Sequence, residues 1–543
     1  MTRGCCAPMS SGMATTFEVL ARTDNEAAVR VLVAALDSPD PDIRQRAVEA
    51  ILLRRRTGAG LEILRRLDRF GARERAIVAR HPNRLGRALR DALVGDDDVL
   101  RRRACLAAVE FDEYDLLPTL LAVVESRTGP AGELAAWGVL ELAQKLYEAL
   151  FDPSAANQRH SPRMIHHHVV VALEEAVRRF AQHRRQEVIE ALLLLCGPDN
   201  ATLRQLLDNP LDPAFRPIVS LLSTSQRGGV IRLLLAFLDD TRAPGAVINI
   251  LANRADERFL RHLLRKLNRE ITPAAAQNLK RIRGIPWLRD PRAVLDRLDE
   301  SAEVGAVRLV IGSGIPRDEA FEAIRAILVG GRPPGRREAA RALAEFQGAQ
   351  ANALALRALD DPDPEVQANV VRHLRQRSIP GAVARLVAML ESPHAVVRRA
   401  VRQSLTELNF RRYLSAFDML DEEVRRTTGL LVRKVDPQTI PLLRDELCSK
   451  MRNRRYRALR VAAAIDALGP LEDEIVALLR DEDHLIRAEA ASLLAGARSP
   501  AAQRALVEAA QDRSETVREA ARSSLKELRE FTEWRDVLVD PRD

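Results

Sequence analysis

The chain has 543 residues, of which 29% are charged and 4% aromatic. It is too long for one closed globular core, and it has no run of about 18 apolar residues that could span a membrane. Basic residues exceed acidic ones by eight, 84 against 76; six of the 84 are lysine, leaving 78 arginines. Over this length the excess permits an acidic partner without requiring one, and the arginine bias reads as genome composition. Five scattered cysteines (Cys5, Cys6, Cys105, Cys196, Cys448) contain no CxxC pair. They argue against a disulfide framework or a zinc site and fit a reducing cytoplasm.

Residues 1–26 read as a partly disordered lead. MTRGCCAPMSSGMATT has no apolar h-region for a signal peptide, and Met9 or Met13 are candidate starts. Residues 27–130 carry a recurring frame: Leu36, Ile43, Ala47, Ile51, then Leu93, Leu100, Ala104, Ala108. An apolar residue is followed by a turn-like patch, then by apolar or small residues at +7, +11 and +15. Residues 131–151 read as one long helix, 152–163 as a polar loop, and 164–195 as helix almost without a break; the section to 235 is irregular. From 236 to 530 the frame returns. Leu238, Gly245, Asn249 and Leu298, Gly305, Leu309 are weak copies. Strong copies begin at Leu328, Leu359 and Leu390, each 31 residues apart, and at Leu479 and Ala510, again 31 apart. Residues 531–543 are a tail. A fixed period of this size marks a stacked solenoid, in which no unit can bury its own core. Dividing length by period gives roughly 13 to 15 helix pairs. In each pair the first helix ends at a patch such as Asp361-Pro362-Asp363-Pro364. Asp then caps the second helix and Pro suits its first turn. Val366, Val370 and Leu374 follow on one face.

The unit DxD..(V/I)R..A resembles the HEAT repeat, in particular the short bacterial form found in phycobilisome lyase subunits. The residues that carry it are Asp40, Ile43, Arg44 and Ala47; Asp363, Val366 and Val370; Val397 and Arg398; Asp481, Asp483, Ile486, Arg487 and Ala490; and Asp512, Val517, Arg518 and Ala521. The chain departs from the pattern at Gln367, where the family has Arg. The resemblance implies an all-α, right-handed solenoid of stacked antiparallel helix pairs. It also implies structural Asp–Arg ladders between neighbours and a groove used for protein contact.

Sites of chemistry are few. His166-His167-His168 project about 100° apart on a helix and cannot share a metal unaided. The HEAT-like deoxyhypusine hydroxylases bind iron through His-Glu dipeptides, and none occurs here. Gly312-Ser313-Gly314 and GGRPPG at 330–335 lack a P-loop or dinucleotide context and read as turns. Cys105 reads as core filler. Trp137, Trp287 and Trp534 are far apart in the sequence. No catalytic residue, cofactor or metal is expected.

The basic stretches are the leading candidates for binding. KMRNRRYRALR holds Lys450, Arg452, Arg454, Arg455, Arg457 and Arg460 with no acid, and helical spacing places Lys450, Arg454 and Arg457 on one face, with Tyr456 and Leu459 turned to the core. Arg261 and Arg265 belong to a second basic stretch, 258–297. The expected function is a non-catalytic cytoplasmic scaffold holding a protein partner, an acidic one being compatible with the basic stretches. The rivals are a nucleic-acid-binding protein of the HEAT-like DNA glycosylase kind and a bilin lyase-like enzyme or chaperone.

Overall fold

The computed structural model describes residues 11–54, 58–151, 162–269, 271–497 and 499–538. Among them are 34 α-helices joined by short turns and 3₁₀ segments, with no strand. No described helix is long and apolar enough to cross a membrane. The polar loop expected at 152–163 falls almost wholly outside the described residues. Packing divides the chain into two compact units, Met1–Ala323 and Ile324–Asp543. That division lies inside the array read as continuous from 236 to 530.

The turn chemistry forms the helix pairs as the sequence predicts. The clearest pair is Ala349–Ala358 followed by Pro364–Leu374. The Asp363 side chain accepts from Glu365 N at 2.9 Å, and Pro364 opens the second helix where no N–H is needed. Asp40 caps at Asp42 N and Asp483 at Leu485 N in the same way, at 2.9 and 2.8 Å. The frame positions form the core: Val366, Val370, Leu374, Val397, Val401, Leu405, Ile486, Ala490 and Leu494 are all buried.

Some elements differ from the sequence reading. Pro130–Phe151 is the long helix expected. The stretch 164–195 is instead three helices, Pro162–Arg178, Phe180–His183 and Gln186–Leu195. Arg184 ends the middle one in a left-handed conformation (φ 54°). His183 fastens this break: its Nδ1 accepts from Arg185 N, and its Nε2 meets Ala176 O, both at 3.0 Å. In GGRPPG the turn is only Gly331-Arg332, since Pro333 already opens the helix Pro333–Ala342.

Neighbouring repeats of the second unit are joined by a ladder of charge. Arg336 holds Asp361 through two bonds of 3.1 Å. Arg455 holds Asp481 at 2.7 and 3.0 Å, and Arg487 holds Asp512 at 2.9 Å twice. The remaining guanidinium nitrogen, Nη1, turns back to the carbonyls of the arginine's own turn. It meets Gly331 O at 3.0 Å, Ser449 O at 2.9 Å and Asp481 O at 2.8 Å, respectively. Each arginine thus closes its own turn and grips the next, as planar bidentate geometry allows. Where Gln367 replaces Arg, its amide still reaches Asp361 O at 2.8 Å.

A buried histidine makes this unit sensitive to acid. His373 is 7% exposed. Its Nε2 meets Ala340 O at 3.0 Å, and its Nδ1 accepts from Arg377 Nε at 2.9 Å. Both nitrogens are committed with the ring neutral, and burial is the main cause that lowers its pKa to about 4. A folded value below the unfolded one, about 6.5, means stability is full above that pH and is lost as pH falls toward the folded value. Unfolding free energies from urea titrations at pH 7 and pH 4.5 should differ by about 2 to 3 kcal/mol more in the natural chain than in His373→Gln. Equal pH dependence in the two chains would refute this assignment.

Candidate partner-binding cleft

The basic residues singled out in the sequence do not form a free cationic face. Lys450 lies in the turn before the helix Arg452–Ala464, exposed and without an ion pair among the described residues. Arg452 pairs with Asp483 in the next repeat, Arg454 with Glu446 at 2.7 Å, and Arg455 is buried against Asp481. Arg457 and Arg460 approach Asp418 at 3.8 and 3.9 Å, and Arg460 also lies over the Phe417 ring. Leu459 is in the core as expected, but Tyr456 is 37% exposed: the helix turns its ring outward. Arg261 and Arg265 lie in the first unit and pair with Glu257 and with Asp299 (3.2 Å). Acids from adjacent turns neutralise most of a stretch that contains none of its own.

The arginines without acids are elsewhere. The helix Ala395–Ser404 carries Arg398, Arg399 and Arg402. No ion pair reaches any of the three among the described residues, and Arg399 and Arg402 are exposed. They line a cleft of about 460 Å³ with Leu405, Leu408, Val435 and Asp436. The nearest acids along the chain are engaged outside it: Glu391 with Lys434 at 3.1 Å and Glu407 with Arg375 at 2.5 Å. Arg375 is also what holds the Glu407 carboxyl below its ordinary range. Asp436 lines the cleft but serves as a local cap. Its two oxygens accept from Phe410 N and Gln438 N, each at 2.9 Å. The result is three guanidiniums beside an apolar floor, suited to a ligand with acidic and hydrocarbon groups close together.

One signal in the sequence could have shown this. VVRRAVRQS has three arginines and no acid, but its Val397-Arg398 pair looks like one more copy of the repeat.

The other candidates have structural roles. His166 Nε2 meets Leu195 O at 2.9 Å. Cys105 is buried, its thiol pushed up to about 12 by desolvation, with Sγ 3.2 Å from Leu134 O. Trp137 is partly exposed and Trp287 buried; the Trp534 side chain lies outside the described residues. No group of three or more potential metal ligands occurs among the described residues.

Helix pairs stacked through a shared apolar seam and an Asp–Arg ladder define an all-α repeat solenoid. Residues 321–406 match the family model described as HEAT repeats. The matched segment ends within the cleft. No curated protein sequence matches the chain. Similar solved structures include a homology model of the full-length AP-3 complex in an intermediate open conformation (12% identity, covering 96% of this chain and 94% of that one, TM-score 0.36). A structure of Kap95p bound to RanGDP aligns at 12% identity over 97% of this chain and 75% of the other, with TM-score 0.30. One concerning the phosphorylation-controlled interaction of cadherin and β-catenin aligns at 15% identity over 92% and 99%, TM-score 0.30. At these values, questions of partner rest on this chain's own residues.

Proposed function

We propose that the chain is a non-catalytic scaffold that holds an acidic segment of a protein partner in the cleft beside Ala395–Ser404. The observation that carries this reading is the contrast between Arg398, Arg399 and Arg402, which have no carboxylate partner among the described residues, and the ladder arginines Arg336, Arg455 and Arg487, which do. A protein segment fits better than a nucleic acid. Single strands are usually held by stacking on exposed aromatics, whereas Phe410, Tyr413 and Phe417, which follow the cleft in sequence, are buried.

The test is fluorescence anisotropy with a short labelled peptide alternating aspartate and leucine. Reversal to Glu at Arg398, Arg399 and Arg402 together should weaken binding at least about a hundredfold, since charge pairs are lost and repulsion is added. Reversal at Arg454 and Arg457 should leave binding within about threefold. Unchanged binding by the triple variant, or tighter binding of duplex DNA than of the peptide, refutes the reading.

A further inference from the structure

We propose that the partner supplies the carboxylate missing from the ladder at Arg398. This builds on the scaffold reading above and makes it specific. Arg336, Arg455 and Arg487 share one pattern: Nη1 closes the arginine's own turn, while Nε and its neighbouring Nη grip an aspartate of the next turn. Arg398 keeps the first half of the pattern. Its Nη1 donates to Ser392 O at 2.6 Å, as Arg455 donates to Ser449 O. The second half is empty: Nε and Nη2 have no partner among the described residues, and the side chain lines the cleft.

The neighbouring rungs explain the gap. On one side the rung is neutral, with Gln367 in place of Arg and Ser392 in place of the turn aspartate. On the other, Met419 stands in place of the turn aspartate, and the adjacent Asp418 faces Arg457 and Arg460. Arg425, the next ladder arginine, already directs its Nε to Phe417 O at 2.7 Å and lies over the Phe417 ring at 5.0 Å. Arg398 is thus a half-buried guanidinium held by one nitrogen, with the opposite edge open beside Leu405, Leu408 and Val435.

A planar fork held in place binds a carboxylate through two parallel bonds and loses little freedom in doing so. The ligand it selects is an aspartate or glutamate side chain with an apolar side chain close to it in the same segment. Arg399 and Arg402 contribute charge to further acids without setting this geometry.

The experiment separates fork from charge. In the full chain, Arg398→Lys and Arg402→Lys each keep the cation and remove the fork. With the alternating aspartate–leucine peptide, Arg398→Lys should weaken binding at least about tenfold and Arg402→Lys less than about threefold. With the asparagine–leucine analogue the natural chain should bind at least about tenfold more weakly, and Arg398→Lys should then make no further difference. Melting temperatures within about 2 °C of the natural chain show that the variants are folded.

Equal losses in the two lysine variants, or none in Arg398→Lys, overturn the ladder assignment; if the triple reversal still abolishes binding, the scaffold reading survives. No binding of the aspartate peptide by the natural chain overturns both. Displacement of the peptide by millimolar inorganic phosphate also overturns the carboxylate assignment.

Discussion

Asp512→Ala should destabilise the second unit by about 3 kcal/mol, far beyond an ordinary surface ion pair. Arg487 is almost enclosed, its side chain 4% exposed, with both Nε and Nη2 on Asp512 and Nη1 on Asp481 O. Removing the carboxylate leaves a nearly enclosed guanidinium with two unpaired donors, so the main loss is a desolvation penalty rather than a Coulomb attraction. Asp512 also accepts from Ser514 N at 2.7 Å in the turn that leads into the helix Glu515–Leu538, and that bond is lost too.

Two comparisons separate these contributions. Glu508→Ala should have no measurable effect, because Arg480–Glu508 is 83% and 72% exposed. The double variant Arg487→Met with Asp512→Ala should be less destabilised than the sum of its single changes, since no unpaired charge remains. Arg487 also holds the Asp512 carboxyl below its ordinary range. Its contribution is therefore full above about pH 3.9 and lost as pH falls through the lower folded value. The gap between the natural chain and Asp512→Ala should narrow only in acid. Urea titrations that give strict additivity, or a gap that closes near neutrality, would refute the argument.

The ladder also explains which features could be read from the sequence. The 31-residue spacing, the Asp caps and the buried faces of Pro364–Leu374 and His484–Leu494 are local properties of one helix pair, and periodicity and turn chemistry report them directly. Whether an acid neutralises an arginine is not a local property. Arg452 finds Asp483 31 residues on, and Arg455 finds Asp481 26 residues on. A count of basic residues within one helix therefore overstated the cationic character of 450–460. The same count understated Arg398, where the distinguishing feature is an acid missing from a neighbouring turn. The outward face of Tyr456 and the left-handed break at Arg184 follow from how one helix lies on the next, which spacing within a helix does not report.

Gly305→Ala should be the most damaging single-methyl change in the first unit, costing about 3 kcal/mol. Intrinsic propensity argues the opposite way, since Ala is favoured over Gly in a helix interior by about 1 kcal/mol. Packing decides the sign. A Cβ at Gly305, in the helix Glu300–Gly312, would stand 2.1 Å from Leu264 O and 2.8 Å from its Cα, in the helix Glu257–Leu267. Those are backbone atoms of a packed helix and cannot swing aside, so the two helices must separate along a seam that holds Phe259, Leu260, Leu263 and Leu264, all buried. The glycine occupies a core position of the repeat because contact there is helix backbone to helix backbone. Gly245→Ala is the control. It opens the helix Gly245–Asn253, and a Cβ there meets nothing within 4 Å. That change should be neutral or stabilise by up to about 1 kcal/mol through the unfolded state. Chemical denaturation of both variants measures the contrast. If Gly305→Ala proved as stable as the natural chain, the close approach of these two helices would be wrong.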